Sequence, residues 1–170
     1  LTNPSAVFNN PGVYQVKLVV TNGAEVDSIT KTVTVYRLPQ VDFHSAKTTI
    51  CQNDTLTFIN DVVAGDGVIT NYGWGFGDGT ASSATNALHS YNQTGSYNIT
   101  LVVQDANGCS ANINKTSYIQ VHSAPLAAFT PSPAISCETS QLVSFTNNSV
   151  GSGLTYFWHL DDTVTSTATN

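Results

Sequence analysis

Methionine is absent from this chain, Lys and Glu are scarce, and only 9% of its 170 residues are charged. Five Lys plus Arg against eleven Asp plus Glu give a net charge of −6, too few cations to build a phosphate-binding surface, so nucleic acid is not an expected partner. No apolar run approaches the roughly 18 residues that a bilayer span needs, and membrane insertion is not expected. Strong helix formers are too thinly spread for a helical core. The chain opens on Leu1, with neither a start Met nor a basic stretch followed by an apolar one, so a signal peptide is not visible. What is abundant is Thr, Ser, Asn, Val and Gly, with 41% hydrophobic residues. That composition describes a chain with a real core and a β-rich surface made polar by hydroxyls and amides rather than by charge.

Self-comparison gives the strongest signal. Pro39-Gln-Val-Asp-Phe43 recurs as Pro125-Leu-Ala-Ala-Phe129, and Cys51 as Cys137. Tyr72-Gly-Trp74-Gly-Phe76-Gly-Asp78 recurs around Tyr156-Phe-Trp158-His-Leu160-Asp-Asp162. In the other direction, Gly12-Val-Tyr14-Gln-Val16-Lys-Leu18-Val-Val20 matches Gly95-Ser-Tyr97-Asn-Ile99-Thr-Leu101-Val-Val103. The period is about 85 residues, the size of a small sandwich domain. Residues 1–38 then read as the C-terminal half of a repeat, 39–122 as a complete one, and 123–170 as the N-terminal half of a third. A half-sandwich leaves an apolar face and open edges, so completion by flanking sequence of a longer parent or by another copy is expected.

Within 39–122 the pattern is period-2. Tyr97, Ile99, Leu101 and Val103 share one strand face; Leu56 and Phe58 alternate with Thr55 and Thr57; Tyr72, Trp74 and Phe76 alternate with glycines. Gly65-Asp-Gly67, Gly77-Asp-Gly79, Asn92-Gln-Thr-Gly95 and Asp105-Ala-Asn-Gly108 punctuate the strands as turns. The fold class is all-β, an antiparallel two-sheet sandwich with Trp74 at its centre, packed with Phe58, Tyr97 and Leu101. Trp158 reads as buried by the same alternation. Asp78 is placed to bond nearby backbone N–H groups.

These motifs, Tyr72-Gly-Trp74-Gly-Phe76-Gly-Asp78-Gly79, then His89-Ser-Tyr91, then Gly95 through Val103, then Asn107-Gly108, resemble the polycystic-kidney-disease (PKD) domain. The match covers the middle repeat; the flanking halves fit more loosely, and Gly75 stands where the family has Asp. The resemblance implies a seven-stranded immunoglobulin-like sandwich serving as an extracellular spacer or adhesive module. The positions of Cys51 and Cys109 are similar to those in long surface proteins of gliding bacteria, including type IX-secreted adhesins.

Chemistry is sparse. His44, His89, His122 and His159 are dispersed without metal-ligand spacing, and no nucleophile elbow, phosphate loop or zinc-protease motif occurs. His89 reads as a packing residue with a backbone bond. Asp66, Asp78 and Asp105, and the pair Asp161-Asp162, suit turn capping, with calcium as the weaker alternative. Cys51 and Cys109 flank strands whose ends, if they met across the sandwich, would allow a disulfide that leaves Cys137 outside; two buried free thiols are the other reading. Asn-x-Ser/Thr occurs at Asn53, Asn92, Asn98, Asn114 and Asn147. Asp-Ser/Thr-apolar triplets at Ser28, Thr55 and Thr163 resemble the O-glycosylation signal of the same gliding-bacterial proteins.

Two functions are expected from this reading. The first is a non-catalytic spacer or adhesive module at the cell surface, partnered by neighbouring repeats or by another copy in a filament, with surface polysaccharide as a further partner. The alternative is an accessory carbohydrate- or protein-binding region of a secreted hydrolase.

Overall fold

The computed structural model describes residues 3–135, 142–151 and 153–160, together with the backbone of 164–166. Among the described residues all regular structure is β, and no helix is long and apolar enough to cross a membrane. An N-terminal hairpin, β1 (Gly12–Thr21) and β2 (Val26–Val35), precedes eight strands of the middle unit. These are β3 (Phe43–Ser45), β4 (Thr49–Cys51), β5 (Thr55–Asn60), β6 (Ile69–Gly75), β7 (Ala81–Ser82), β8 (Ala87–Ser90), β9 (Gly95–Asp105) and β10 (Ser110–His122). The C-terminal segment has two short pairs, β11 (Phe129–Ser132) with β12 (Ser144–Asn147), and β13 (Trp158–Leu160) with β14 (Val164–Ser166).

The middle unit is a sandwich of a five-stranded sheet, ordered β4-β10-β9-β6-β7, and a three-stranded sheet, ordered β3-β5-β8. The first extended segment is divided between the two: β3 pairs antiparallel with β5, and β4 crosses over to pair parallel with β10. Counting that divided segment once gives the seven strands of an immunoglobulin-like sandwich.

Alternation places the core as the sequence pattern requires. Leu56 and Phe58 of β5, Trp74 and Phe76 around the end of β6, and Ile99, Leu101 and Val103 of β9 are buried, while Thr55 and Thr57 face solvent. Trp74 lies between the sheets, with Phe43 edge-on at 5.3 Å and Phe58 at 6.0 Å. Its indole Nε1 donates a 2.8 Å hydrogen bond to the Ala84 carbonyl, so its one polar atom is not stranded. Tyr97 departs from the expected core: it is half-buried at the rim, stacked 4.1 Å from Tyr91, with its hydroxyl donating to the Gln93 carbonyl at 2.9 Å. A phenol in the centre would need a buried acceptor; at the rim the neighbouring loop supplies one.

The terminal segments reproduce local geometries of the middle unit. Phe129 meets Trp158 at 5.4 Å and 73°, as Phe43 meets Trp74 at 5.3 Å and 73°. Phe145 meets Trp158 at 6.0 Å and 42°, as Phe58 meets Trp74 at 6.0 Å and 43°. Trp158 is only half-buried, unlike its alternation-based reading, because the Phe129 it packs on is itself 57% exposed. In the N-terminal hairpin, Val16, Leu18 and Val20 on one face of β1 are all exposed.

Because Trp74 fills the space between the sheets, Trp74→Ala should cost about 3–5 kcal/mol of stability, read from denaturant unfolding of the whole chain. A loss below about 1 kcal/mol would mean that the indole does not organise this core.

Candidate functional site

The densest polar cluster lies where β6 turns into β7. Gly77 has φ +81°, and a Cβ there would stand 2.6 Å from the Asn98 carbonyl oxygen, so only glycine fits. Asp78 then closes the turn: its Oδ1 accepts from the Thr80 N–H at 3.0 Å and from the Thr80 hydroxyl at 2.6 Å. This is the backbone bonding expected of Asp78. Its other oxygen, Oδ2, accepts from His89 Nε2 at 2.7 Å. His89 sits on β8 of the opposite sheet, stacked on Phe76 at 4.1 Å and 7°, with the ring of Tyr91 edge-on at 4.6 Å. The Tyr91 hydroxyl donates to the Phe76 carbonyl at 3.0 Å. His89 is thus a packing residue, but its polar bond goes to a carboxylate rather than to the backbone.

The cluster places a hydroxyl, an imidazole and a carboxylate together without making a catalytic relay. Thr80 Oγ1 at 3.4 Å and Asp78 Oδ2 at 2.7 Å address the same ring nitrogen, Nε2. A nucleophilic relay needs the hydroxyl on one nitrogen and the carboxylate on the other. What this arrangement does is tie the β6–β7 turn of one sheet to β8 of the other. Burial raises the Asp78 carboxyl, but bonds from Thr80 and His89 outweigh it and hold the group below its ordinary 3.8. Burial, with the Asp78 charge nearby, pushes the Tyr91 hydroxyl well above its ordinary value.

The opposite end of the sandwich holds the incoming chain. Asp66 Oδ2 accepts from the Arg37 N–H at 2.7 Å, and a Cβ on Gly65 would strike the Arg37 carbonyl at 2.0 Å. Asp105 is 2% exposed and its Oδ1 accepts from the N–H groups of Asn107 and Cys109, both at 2.9 Å. Asp78 is remote from this end, because β6 runs between them from the Asp105 pairing at Ile69 to the Thr100 pairing at Gly75. Among the described residues no three His, Cys, Asp or Glu side chains converge as metal ligands.

The Cys51–Cys109 disulfide is not present: both thiols are free. The reason is topological. Cys51 ends β4 opposite His122, the last residue of β10, whereas Cys109 sits just before β10 begins. β10 pairs along nearly the whole of β9, from Gly95 to Gln104, so the two cysteines stand at opposite ends of the sheet. At about 3.3 Å per residue that is roughly 30 Å, far outside the ~7 Å Cα separation that a disulfide tolerates. Burial, then the Asp105 and Asp66 carboxylates, raise the Cys109 thiol above its ordinary value. Cys137, Asp161, Asp162 and Thr163 lie outside the described residues. Ser28 on β2 and Thr55 at the start of β5 are exposed.

Lys115 is a residue to which sequence reasoning gave no role. Its Nζ lies 2.7 Å from Asp42 Oδ1 and 4.6 Å over the Phe43 ring, covering the edge of the core with its stem. The Lys115 hydrogen bond holds the Asp42 carboxyl below its ordinary range. The only sequence signal was a lone cation in a strand otherwise almost free of them.

With this geometry in hand, the family follows. The PKD domain model matches residues 36–121, half of the chain, and the chain belongs to the PKD domain family. Its fold is the all-β sandwich of that family. A 43-residue stretch, a quarter of the chain, is 51% identical to collagenase ColA of Clostridium perfringens and spans 4% of that protein. The PKD1 domain of the Vibrio cholerae metalloprotease PrtV is 30% identical, over 50% of this chain and 98% of that one, at a TM-score of 0.44. The PKD1 domain of Vibrio anguillarum Epp is 25% identical, over 51% and 99%, at 0.45.

Two outcomes test the site. A carboxyl held below its unfolded value contributes stability above that value and loses it as pH falls through the folded one. Thermal unfolding between about pH 6 and pH 3 should therefore show the chain weakening below about pH 4, with a shallower decline in Asp78→Asn. The exposed Asp42 would supply the residual slope. An identical slope in the variant would remove Asp78 from the linkage. Second, alkylation of the non-reduced, denatured chain followed by peptide mapping should recover Cys51 and Cys109 each alkylated. A Cys51–Cys109 cross-linked peptide would contradict the strand order.

Proposed function

We propose that this chain is a non-catalytic structural module of an extracellular, surface-exposed protein: a rigid bead that spaces its neighbours and transmits tension between them. The observation that carries this is the parallel pairing of β4 with β10 between chain ends that leave from opposite poles. The chain enters the sandwich at Arg37, held by Asp66, and leaves past His122 at the far end of β9. Tension applied at those ends loads the β4–β10 ladder in shear, so its hydrogen bonds must break together rather than one by one. Gln120 N–H to the Thr48 carbonyl at 2.7 Å and Gln52 N–H to the His122 carbonyl at 2.8 Å flank that ladder.

The family assignment supports the module reading. Its neighbours in this reading are further repeats, with surface polysaccharide as a partner for a chain rich in hydroxyls and poor in charge. The exposed hydroxyls of Ser28 and Thr55, and Thr163 with them, are the proposed O-glycan carriers. A second reading, an accessory region of a secreted hydrolase, is favoured by the 51% identity to a collagenase segment. Retention of the chain on insoluble collagen or chitin would select that reading over the plain spacer.

Single-molecule stretching of the whole chain tests the tension-bearing role. The middle unit should unfold in one step that releases roughly 270–300 Å of contour. Gln52→Pro, which deletes one flanking N–H donor, should lower the unfolding force and leave the step length unchanged. Equal forces in the two chains would show that the β4–β10 pairing does not carry the load.

A further inference from the structure

A slot of about 390 Å3 opens where the first extended segment of the middle unit crosses from one sheet to the other. Ser45, Ala46 and Lys47 line one side of it and Thr55 and Thr57 of β5 the other, with the buried Ile50 and Leu56 on the core side. We propose that this slot is a strand-addition site for an extended peptide. Its occupant carries one small apolar residue facing the core, flanked by outward polar residues of which one is acidic. The inference goes beyond the module reading and does not rest on it.

The main chain of β5 specifies a polypeptide. Successive residues of a strand direct their backbone groups to alternate sides. The odd-numbered residues point toward β3: Val63 exchanges both backbone bonds with Gln40 at 2.9 Å, and the Asp61 N–H donates to the Asp42 carbonyl at 2.8 Å. The even-numbered ones point toward β8, where the Asn60 N–H donates to Asn86 Oδ1 at 3.0 Å. Thr55 and Thr57 therefore direct their N–H and C=O groups to the side from which β3 has departed. β3 pairs only as far as Ser45, opposite Phe58. The next residue, Ala46, would stand opposite Thr57, but there the chain turns away to β10, where the Thr48 carbonyl accepts from the Gln120 N–H at 2.7 Å. Among the described residues, no backbone bond reaches Thr55 or Thr57 from that side. The Ser45 hydroxyl, where β3 ends, is likewise buried without a hydrogen-bond partner. Main-chain donors and acceptors in strand spacing are matched by the main chain of another strand.

The size of the slot and its side chains narrow the occupant. Its far end is closed by the Cys51–Asp54 turn, in which Asp54 Oδ2 accepts from the Cys51 N–H at 3.1 Å and the Asp54 N–H donates to the Cys51 carbonyl at 3.2 Å. Between Ser45 and that turn, the three positions opposite Thr55, Leu56 and Thr57 span roughly 10 Å of strand. The outer two lie beside the exposed Thr55 and Thr57 and face solvent. The middle one lies beside Leu56, so its side chain enters toward Leu56 and Ile50, which favours Val or Ala over an aromatic ring. Lys47 is exposed at the lip and has no ion-pair partner among the described residues, so a carboxylate next to the apolar residue complements it.

Amide chemical shifts and hydrogen exchange of the whole chain, titrated with the capped peptide Ser-Asp-Val-Thr-Ser, test this. The expected result is saturable shifts at Ser45–Lys47 and Thr55–Thr57, with slower exchange of the Thr55 and Thr57 amides. The same peptide N-methylated at Asp and Thr should lose binding, and one with Lys in place of Asp should bind about twofold to fivefold more weakly. Lys47→Glu, at an exposed position, should reverse that preference. Thr57→Pro removes one donor that faces the slot and none that faces β8, so it should abolish the shifts while β9 and β10 keep their exchange protection. Absence of shifts at Thr55 and Thr57 with the unmodified peptide overturns the proposal. So does equal binding by the N-methylated peptide, or a charge preference that Lys47→Glu leaves unchanged.

Discussion

The middle sandwich depends on keeping one indole dry without stranding its N–H. Trp74 is the largest buried side chain, and everything around it meets one of those two requirements. Phe43 and Phe58 from the three-stranded sheet close over its ring, and Leu101 beside it on β9 extends the same apolar surface. The segment between β7 and β8 brings the Ala84 carbonyl to the indole nitrogen. The turn that follows β6 is then anchored from the opposite sheet, because Asp78 takes hydrogen bonds both from its own turn and from His89. Burying an aromatic of this size contributes stability only while the sheets stay in register, and the Asp78–His89 bond and the Tyr91 hydroxyl hold that register at one end.

The two ends of the sandwich differ in kind. One holds the incoming chain through Asp66 and the close approach of Gly65 to Arg37; the other latches the outgoing strand β10 to β4. Direction is therefore built into the unit.

Much of this was legible in the residues. Two-residue alternation predicts the buried face of β9 and of β5, because a strand presents successive side chains to opposite sides whatever its neighbours are. Gly77-Asp78-Gly79 reads as a turn because a positive φ and a self-bonding carboxylate are local properties. Tyr97 was misplaced by the same logic: alternation gives the face of a strand but not the distance of a residue from the end of the sheet, and the phenol sits at the rim where the Gln93 carbonyl accepts its hydrogen bond.

Strand content, the face each strand turns inward, the turns and the family pattern were determined by the sequence alone, since each depends on chemistry within a few residues. Tertiary structure decided which strand ends meet. Cys51 and Cys109 both flank strands, but the parallel pairing of β4 with β10 sends them to opposite poles. It likewise brought Lys115 onto Phe43 and Asp42 across a long separation in the chain, and His89 of one sheet onto Asp78 in a turn of the other. Pairing order and direction are set by how two sheets share one core, and that is a property of the packed whole rather than of any local run of residues.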